Sequence, residues 1–173
     1  MNFTPFPTLT TERLILRQQK MSDENEILVL RSDPRMLEFI DIPKTETTDD
    51  ARKFIEKINN GIKENVWIQW GITLKGNDTL IGSIGFWNMD KEKSIADIGY
   101  MLHPDFQGKG IMHEAFTKAI EYGFTVMKLK SIIAGVHEKN VKSIKVLEKL
   151  GFKYLRPADD EENVVLYSLA AHQ

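Results

Sequence analysis

The sequence predicts a single α/β domain: a mixed, mostly antiparallel twisted sheet flanked by helices, with a β-α-β crossover at its centre. Three observations carry that prediction. Strand-like runs between Val66 and Leu102 are separated by short polar turns, as in successive hairpins. Residues 111–127 then show apolar spacings of three and four, and lead into a short, continuously apolar segment at 131–136 of the kind buried in parallel pairing. A second amphipathic helix and two further strands close the chain. At 173 residues, 42% of them apolar and 28% charged, one domain spanning residues 1–173 can bury a core of its own.

Taken in order, residues 9–17 (L-T-T-E-R-L-I-L-R) read as a first strand, with Leu14 and Leu16 alternating with Ile15 and charges. Ser22 or Asp23 caps a helix running to about Ser32. Its buried side is expected at Leu28 and Val29, joined by Ile27 or Leu30, and Asp33-Pro34 stops it. Residues 36–50 are irregular. Thr47 or Thr48 opens a helix over about 49–64, whose stripe is Ala51, Phe54, Ile55, Ile58 and Ile62. Strands follow at 66–74, 79–87 and 94–102, with turns at 75–78 and 90–93. The helix at 111–127 is expected to bury Ala115, Phe116, Ala119, Ile120, Phe124 and Met127. The helix at 140–150 carries Val141, Ile144, Leu147 and Leu150 on one face, and Gly151 stands where a left-handed cap belongs. Strands at 153–156 and 163–169 surround the acidic turn 159–162.

Composition removes several function classes. Net charge is −2, which gives no broad basic surface for nucleic acid. There is no cysteine, hence no thiol nucleophile, disulfide or thiolate metal site. His103, His113, His137 and His172 show no ligand spacing, so no metal is expected. The start, M-N-F-T-P, has neither a basic region nor an apolar core, and no apolar run approaches the ~20 residues that span a bilayer. A cytoplasmic protein with no membrane partner is the expectation.

One stretch stands out chemically: M-L-H-P-D-F-Q-G-K-G-I-M-H-E, residues 101–114. A glycine-bearing loop opening a helix is an anion site, because the first helical N–H groups have no partner within the helix and the macrodipole is positive there. Gly108 and Gly110 permit close approach and positive φ, and Lys109 adds a cation. A P-loop requires Ser or Thr after Gly-Lys, but Gly110 follows. A dinucleotide fingerprint requires a third glycine, and none is present.

Two segments together resemble the GNAT superfamily of acyl-CoA-dependent N-acetyltransferases, in particular its RimJ/RimL-like branch, which includes ribosomal-protein N-terminal acetyltransferases. The first is I-A-D-I-G-Y-M-L-H-P-D-F-Q-G-K-G-I-M-H-E-A-F, residues 95–116, with Gln107 opening the family's Arg/Gln-x-x-Gly-x-Gly/Ala pattern. The second is G-V-H-E-K-N-V-K-S-I-K-V-L-E-K-L-G-F, residues 135–152. T-E-R-L-I-L-R (11–17) and L-I-G-S-I-G-F (80–86) are similar to the branch as well. Met112 departs from the pattern, standing where Gly or Ala is usual. Packing of its side chain into the core would keep the loop clear.

The resemblance implies acetyl-CoA as co-substrate, with its pyrophosphate on the amides of Gln107, Gly108, Lys109, Gly110, Ile111 and Met112. It places the pantetheine between two splayed parallel strands, beside Met101 and Leu102, with Asn140 and Ser143 near the thioester. The amine acceptor attacks directly, which suits a chain without cysteine. Asp97 stands where the family often has Glu. Being one methylene shorter, it would act through a relaying water; alternatively it is a strand-edge or ion-paired acid. Ser143 is the candidate donor to the leaving thiolate, with Tyr154 as a second candidate. Asn140 and Ser143 also fit a plain helix start. The oxyanion donor is expected to be a backbone N–H near Met101. The acceptor pocket is expected among residues 36–50, Trp70, Phe86 and Trp87, although core packing suits each aromatic taken singly. The acceptor is a primary amine: a protein N-terminal α-amine by branch resemblance, or a lysine, polyamine or aminoglycoside. A non-catalytic acyl-CoA sensor is the alternative, supported by Met112 and the short acid. Homodimers occur in the family, and the sequence leaves the oligomeric state open.

Overall fold

The computed structural model describes residues 1–172. An eight-stranded sheet runs β1 (Leu9–Thr10), β2 (Leu14–Arg17), β3 (Ile68–Leu74), β4 (Asn77–Asp90), β5 (Ile95–Leu102), β6 (Ser131–His137), β8 (Val164–Ala170), β7 (Lys153–Pro157) in spatial order. Every neighbouring pair is antiparallel except β5 and β6. The expected mixed sheet with one central crossover is therefore what forms.

The first strand is split in two. Thr11 and Leu14 close a turn through Thr11 N–H to Leu14 O and Leu14 N–H to Thr11 Oγ1, both 3.0 Å, so Leu9 folds back opposite Leu16. A 3-10 turn, Met21–Asp23, leads into α1 (Glu24–Ser32). This helix is rotated from the expected setting: Ile27 and Leu30 are buried and Val29 is exposed. The cause is Asp23, which the buried Arg17 guanidinium draws inward through bonds of 2.8 and 2.9 Å. Positions 23, 27 and 30 thus share the inner stripe. Pro34 ends α1, then occupies the first turn of a short α2 (Pro34–Leu37) where irregular chain was expected, capped by Asp33.

A reciprocal Thr47–Asp50 cap starts α3 (Thr48–Lys63), and the expected Ala51, Ile55, Ile58 and Ile62 are buried. The first hairpin is tighter than expected, with Lys75-Gly76 alone as its turn and Gly76 at φ +82°. Strand β4 also runs on to Asp90, with a register irregularity after Trp87 where Asn88 has φ +44°.

The crossover helix α4 (Ile111–Thr125) buries Ala115, Phe116 and Ala119 as expected, but Tyr122 and Gly123 rather than Phe124 complete its stripe. Tyr122 packs edge-on against Trp70 at 5.2 Å, which sets that rotation. In α5 (Val141–Lys149) Leu147 is buried, while Val141 is exposed beside a cleft. Gly151, at φ +90°, caps the helix end, and Phe152 N–H reaches back to Leu147 O at 3.0 Å. Among the described residues no helix is long and apolar enough to cross a membrane.

The pairing of β5 with β6 positions everything that follows. It consists of Ile95 with Ser131, Ala96 with Ile132 and Asp97 with Ile133, and then stops. Beyond it β5 stays zipped to β4 as far as Leu102, and β6 stays zipped to β8 as far as His137. Each strand keeps one satisfied edge, and a fork opens between the other two.

Candidate active site

One arm of the fork ends in the glycine loop. Gln107 Nε2 donates to Leu102 O at 2.9 Å and ties the loop to the end of β5. Gly108 and Gly110 both have φ of +74°. Gly110 is the N-cap of α4 and offers no side-chain cap, so the amides of the first helical turn have no acceptor in the helix. A Cβ added at Gly108 would meet nothing within 4 Å, so the loop is open on that side. From behind, Arg13 Nη1 donates to Lys109 O at 2.9 Å.

A cleft of about 790 Å³ runs from this loop to α5. Met101, Leu102, Gln107, Gly108, Gly110, Ile111 and Met112 line one side, and Asn140, Val141 and Ser143 line the other. The Lys109 side chain turns away from it, with Nζ 5.7 Å from the Phe106 ring centre. Met112 is 9% exposed and packs into the main core, so it leaves the loop unobstructed.

A second cleft of about 400 Å³ opens on the other side of the fork. Asp97, Gly99, Trp87 and His137 line it from the sheet, and Phe39, Ile40, Asp41 and Ile42 from the segment before α3. The clefts share Phe39, Ile40, Tyr100, Met101, Asn140 and Ser143, which mark their junction. Asp97 stands where the fork begins, its Oδ2 accepting from Asn88 Nδ2 at 2.8 Å.

Asn140 caps α5 as a helix start: Oδ1 accepts from Ser143 N at 3.3 Å, which leaves the Nδ2 donors for the cleft. Other expectations need correction. Trp70 and Phe86 are fully buried in the core, with Trp70 Nε1 bonded to Pro7 O at 2.7 Å, and line neither cleft. Tyr154 lies exposed on the outer strand β7 against Tyr167, away from both.

Alternation along β5 puts Tyr100 on the face of Ala96, Ile98 and Leu102 and gives it no functional signal. In the structure it packs edge-on against Phe116 at 4.6 Å and borders both clefts. Burial pushes its hydroxyl pKa up, and a side-chain interaction with Ser143 partly offsets that rise. The register also relocates the free backbone donors. His103 N–H donates to Ile81 O, and Leu102 O accepts from Gln107 rather than from β4. Strand alternation then sends the Met101 N–H towards β4 and those of Tyr100 and Leu102 towards the fork.

This geometry coincides with the sequence comparisons. The model of the acetyltransferase (GNAT) domain matches residues 13–153. The chain belongs to the GNAT acetyltransferase family. It is 38% identical over 146 residues to "Uncharacterized N-acetyltransferase p20" of Bacillus licheniformis, covering 84% of this chain and 82% of that protein. The ribosomal-protein-S5-alanine acetyltransferase of Vibrio fischeri shares the fold, with a TM-score of 0.83 at 24% identity over 95% of this chain and 96% of that one. The microcin C7 self-immunity acetyltransferase MccE, solved with acetyl-CoA and AMP, does so with a TM-score of 0.81 at 23% identity over 93% and 94%. This GNAT protein is thus an N-acetyltransferase by family. Its open glycine loop, unpartnered helix-start amides and forked strands suit an elongated ligand with a diphosphate at one end.

Proposed function

We propose that this chain acetylates a primary amine by direct attack of that amine on the thioester of acetyl-CoA, at the fork of β5 and β6. The observation that carries the reading is the meeting of two clefts at Tyr100, Met101, Asn140 and Ser143. One cleft ends in an anion-binding loop, and the other begins at a carboxylate. Bound acetyl-CoA would supply the activated acetyl group.

The chain's own residues do the rest. The amides of residues 108–112 hold the pyrophosphate; the Gln107 amide, expected among them, donates to Pro104 O at 3.2 Å instead. Asn140 Nδ2 donates to the pantetheine. Asp97, held by Asn88, takes the amine proton through a water. The fork-facing N–H of Tyr100 or Leu102 stabilises the oxyanion. Ser143 gives its proton to the leaving thiolate and regains one from solvent in the cleft, positioned by the Tyr100 hydroxyl, which burial keeps protonated. Phe39 and Ile40 cover the junction and limit water there.

The test is thiol release from acetyl-CoA at pH 7 and 9 against N-terminal peptides, lysine peptides, polyamines and aminoglycosides. Release with one class supports the transferase and names its acceptor. CoA binding with silence across the panel would favour a sensor. Absence of CoA binding would remove the loop assignment.

A further inference from the structure

The second cleft holds a cation that the transfer chemistry does not use. Arg31, in the last turn of α1, lines that cleft. Its guanidinium lies 3.8 Å from the Phe54 ring centre, and Nε donates to Thr45 Oγ1 at 3.3 Å. Among the described residues it makes no ion pair. Arg17 shows the contrast: it is buried, and Asp23 and Asp78 hold it on both sides. For Arg31 burial lowers the pKa and no acid opposes that shift. A half-buried guanidinium facing an open cleft without an anion is incompletely compensated, and an anionic ligand would complete it.

Two neutral donors face the same cleft. Gln69 and Ser83 are each 7% exposed and line it from the sheet. They sit diagonally on β3 and β4, with Ser83 opposite Gly71 and Gln69 opposite Gly85. Gln69 Oε1 accepts from the buried Gln19 amide, so its own N–H groups remain for the cleft. The Ser83 hydroxyl makes no side-chain bond among the described residues. The acids of the cleft lie elsewhere: Asp41 and Glu161 are exposed, and Asp97 is at the fork. No acid of the cleft pairs with Arg31, and Ile27, Leu30, Ile42 and Trp87 add apolar wall to the same cavity.

We infer that the acceptor carries an anionic oxygen group, a carboxylate or a phosphate, beside its amine, and that Arg31 receives it with Gln69 and Ser83 as neutral donors. The ammonium end is drawn to the acids and the fork, and the anionic end to Arg31. A polyamine presents a second cation to Arg31 and is disfavoured. The inference rests on the transferase reading given above and names its substrate class.

Matched acceptors test it on the full chain, by thiol release from acetyl-CoA. The pairs are phenylalanine with phenylalaninamide, phosphoethanolamine with ethanolamine, and peptides differing only by Asp or Asn in second position. Their arms separate a free carboxylate, a phosphate and an acidic peptide as the source of the anion. In at least one pair the anionic member should have roughly tenfold or higher kcat/KM. Arg31→Met should erase that preference through KM while leaving the neutral member within about twofold, and Arg31→Lys should restore part of it. A thermal scan of each variant separates this from loss of fold. Neutral members used as well as anionic ones would overturn the inference and leave the transferase standing, and so would an Arg31→Met that lowers both equally. No thiol release with any amine would defeat both.

Discussion

Arg13 and Glu114 lock the glycine loop from behind. Arg13 Nε donates to Glu114 Oε2 at 2.7 Å, and its backbone N–H to Oε1 at 2.8 Å, while Thr11 Oγ1 donates to the same carboxylate. Nη1 of the same arginine holds Lys109 O. The turn between β1 and β2 is thereby fastened to both the loop and the first turn of α4. Arg13→Ala should raise the KM for acetyl-CoA about threefold to tenfold, the range for a partly exposed charge-assisted contact, and leave the acceptor KM unchanged. Equal changes in both constants would rule out a local clamp.

The same carboxylate fixes an acid sensitivity. Burial alone would raise the Glu114 pKa, but the hydrogen bonds from Thr11 and Arg13 outweigh it and hold the carboxyl below the ordinary range. A depressed folded pKa contributes stability above the unfolded value, about 4.3, that is lost as pH falls through the folded one. Denaturant midpoints of wild type and Glu114→Gln should therefore differ at pH 6 and converge towards pH 3. A gap that persists at pH 3 would show that the clamp does not depend on the charge.

Two glycines should separate ligand approach from folding. Gly108→Ala meets no atom within 4 Å, so its cost to stability is the left-handed backbone alone, roughly 1–2 kcal/mol, while the new methyl stands at the open side of the loop. Gly85→Ala would place Cβ 2.4 Å from Ile68 O, which is backbone and cannot yield cheaply. Gly108→Ala should thus weaken acetyl-CoA binding with a small fall in Tm. Gly85→Ala should lower Tm much further. The reverse ranking would mean that the loop is structural only.

Much of this was legible in the chain itself. Hairpin turns, amphipathic stripes and the glycine loop announced the mixed sheet and its crossover, because period and turn chemistry are local. What escaped depends on contacts distant in sequence. The rotation of α1 follows from Arg17 drawing in Asp23, and that of α4 from Tyr122 meeting Trp70. Thr11 and Arg13 sat in a segment matched by resemblance, yet their role requires Glu114, about a hundred residues on. Alternation places Tyr100 on the Ala96–Ile98–Leu102 face of β5 but is blind to where a parallel pair comes apart. Arg31 carried no signal at all, since an unpaired arginine is recognised only by the partners it lacks.

Tyr100 and Ser143 should behave as one unit. Tyr100→Phe and Ser143→Ala should each lower kcat about tenfold, and the double variant little further, because each removes the same proton path. Burial raises the Tyr100 pKa, so the hydroxyl stays protonated where an ordinary tyrosine, near 10, begins to ionise. Its contribution to stability is present below that value and lost as pH rises towards the folded one. A rise in rate between pH 7 and 9 should accordingly survive in Tyr100→Phe. Additive losses in the double variant would assign the two residues separate roles.

Asp97 gives the sharpest test of the chemistry. It ends the paired part of β5, lines the second cleft and is oriented by Asn88. Asp97→Asn keeps the shape and removes the base, so kcat at pH 7 should fall roughly a hundredfold or more. The loss should shrink at pH 9, where a larger fraction of the amine is already deprotonated and needs less help. Asn88→Ala should cost less than Asp97→Asn at both pH values, because it disturbs orientation and spares the carboxylate. Full activity of Asp97→Asn at pH 7 would remove Asp97 as base and leave solvent to take the proton, with the transfer itself unaffected.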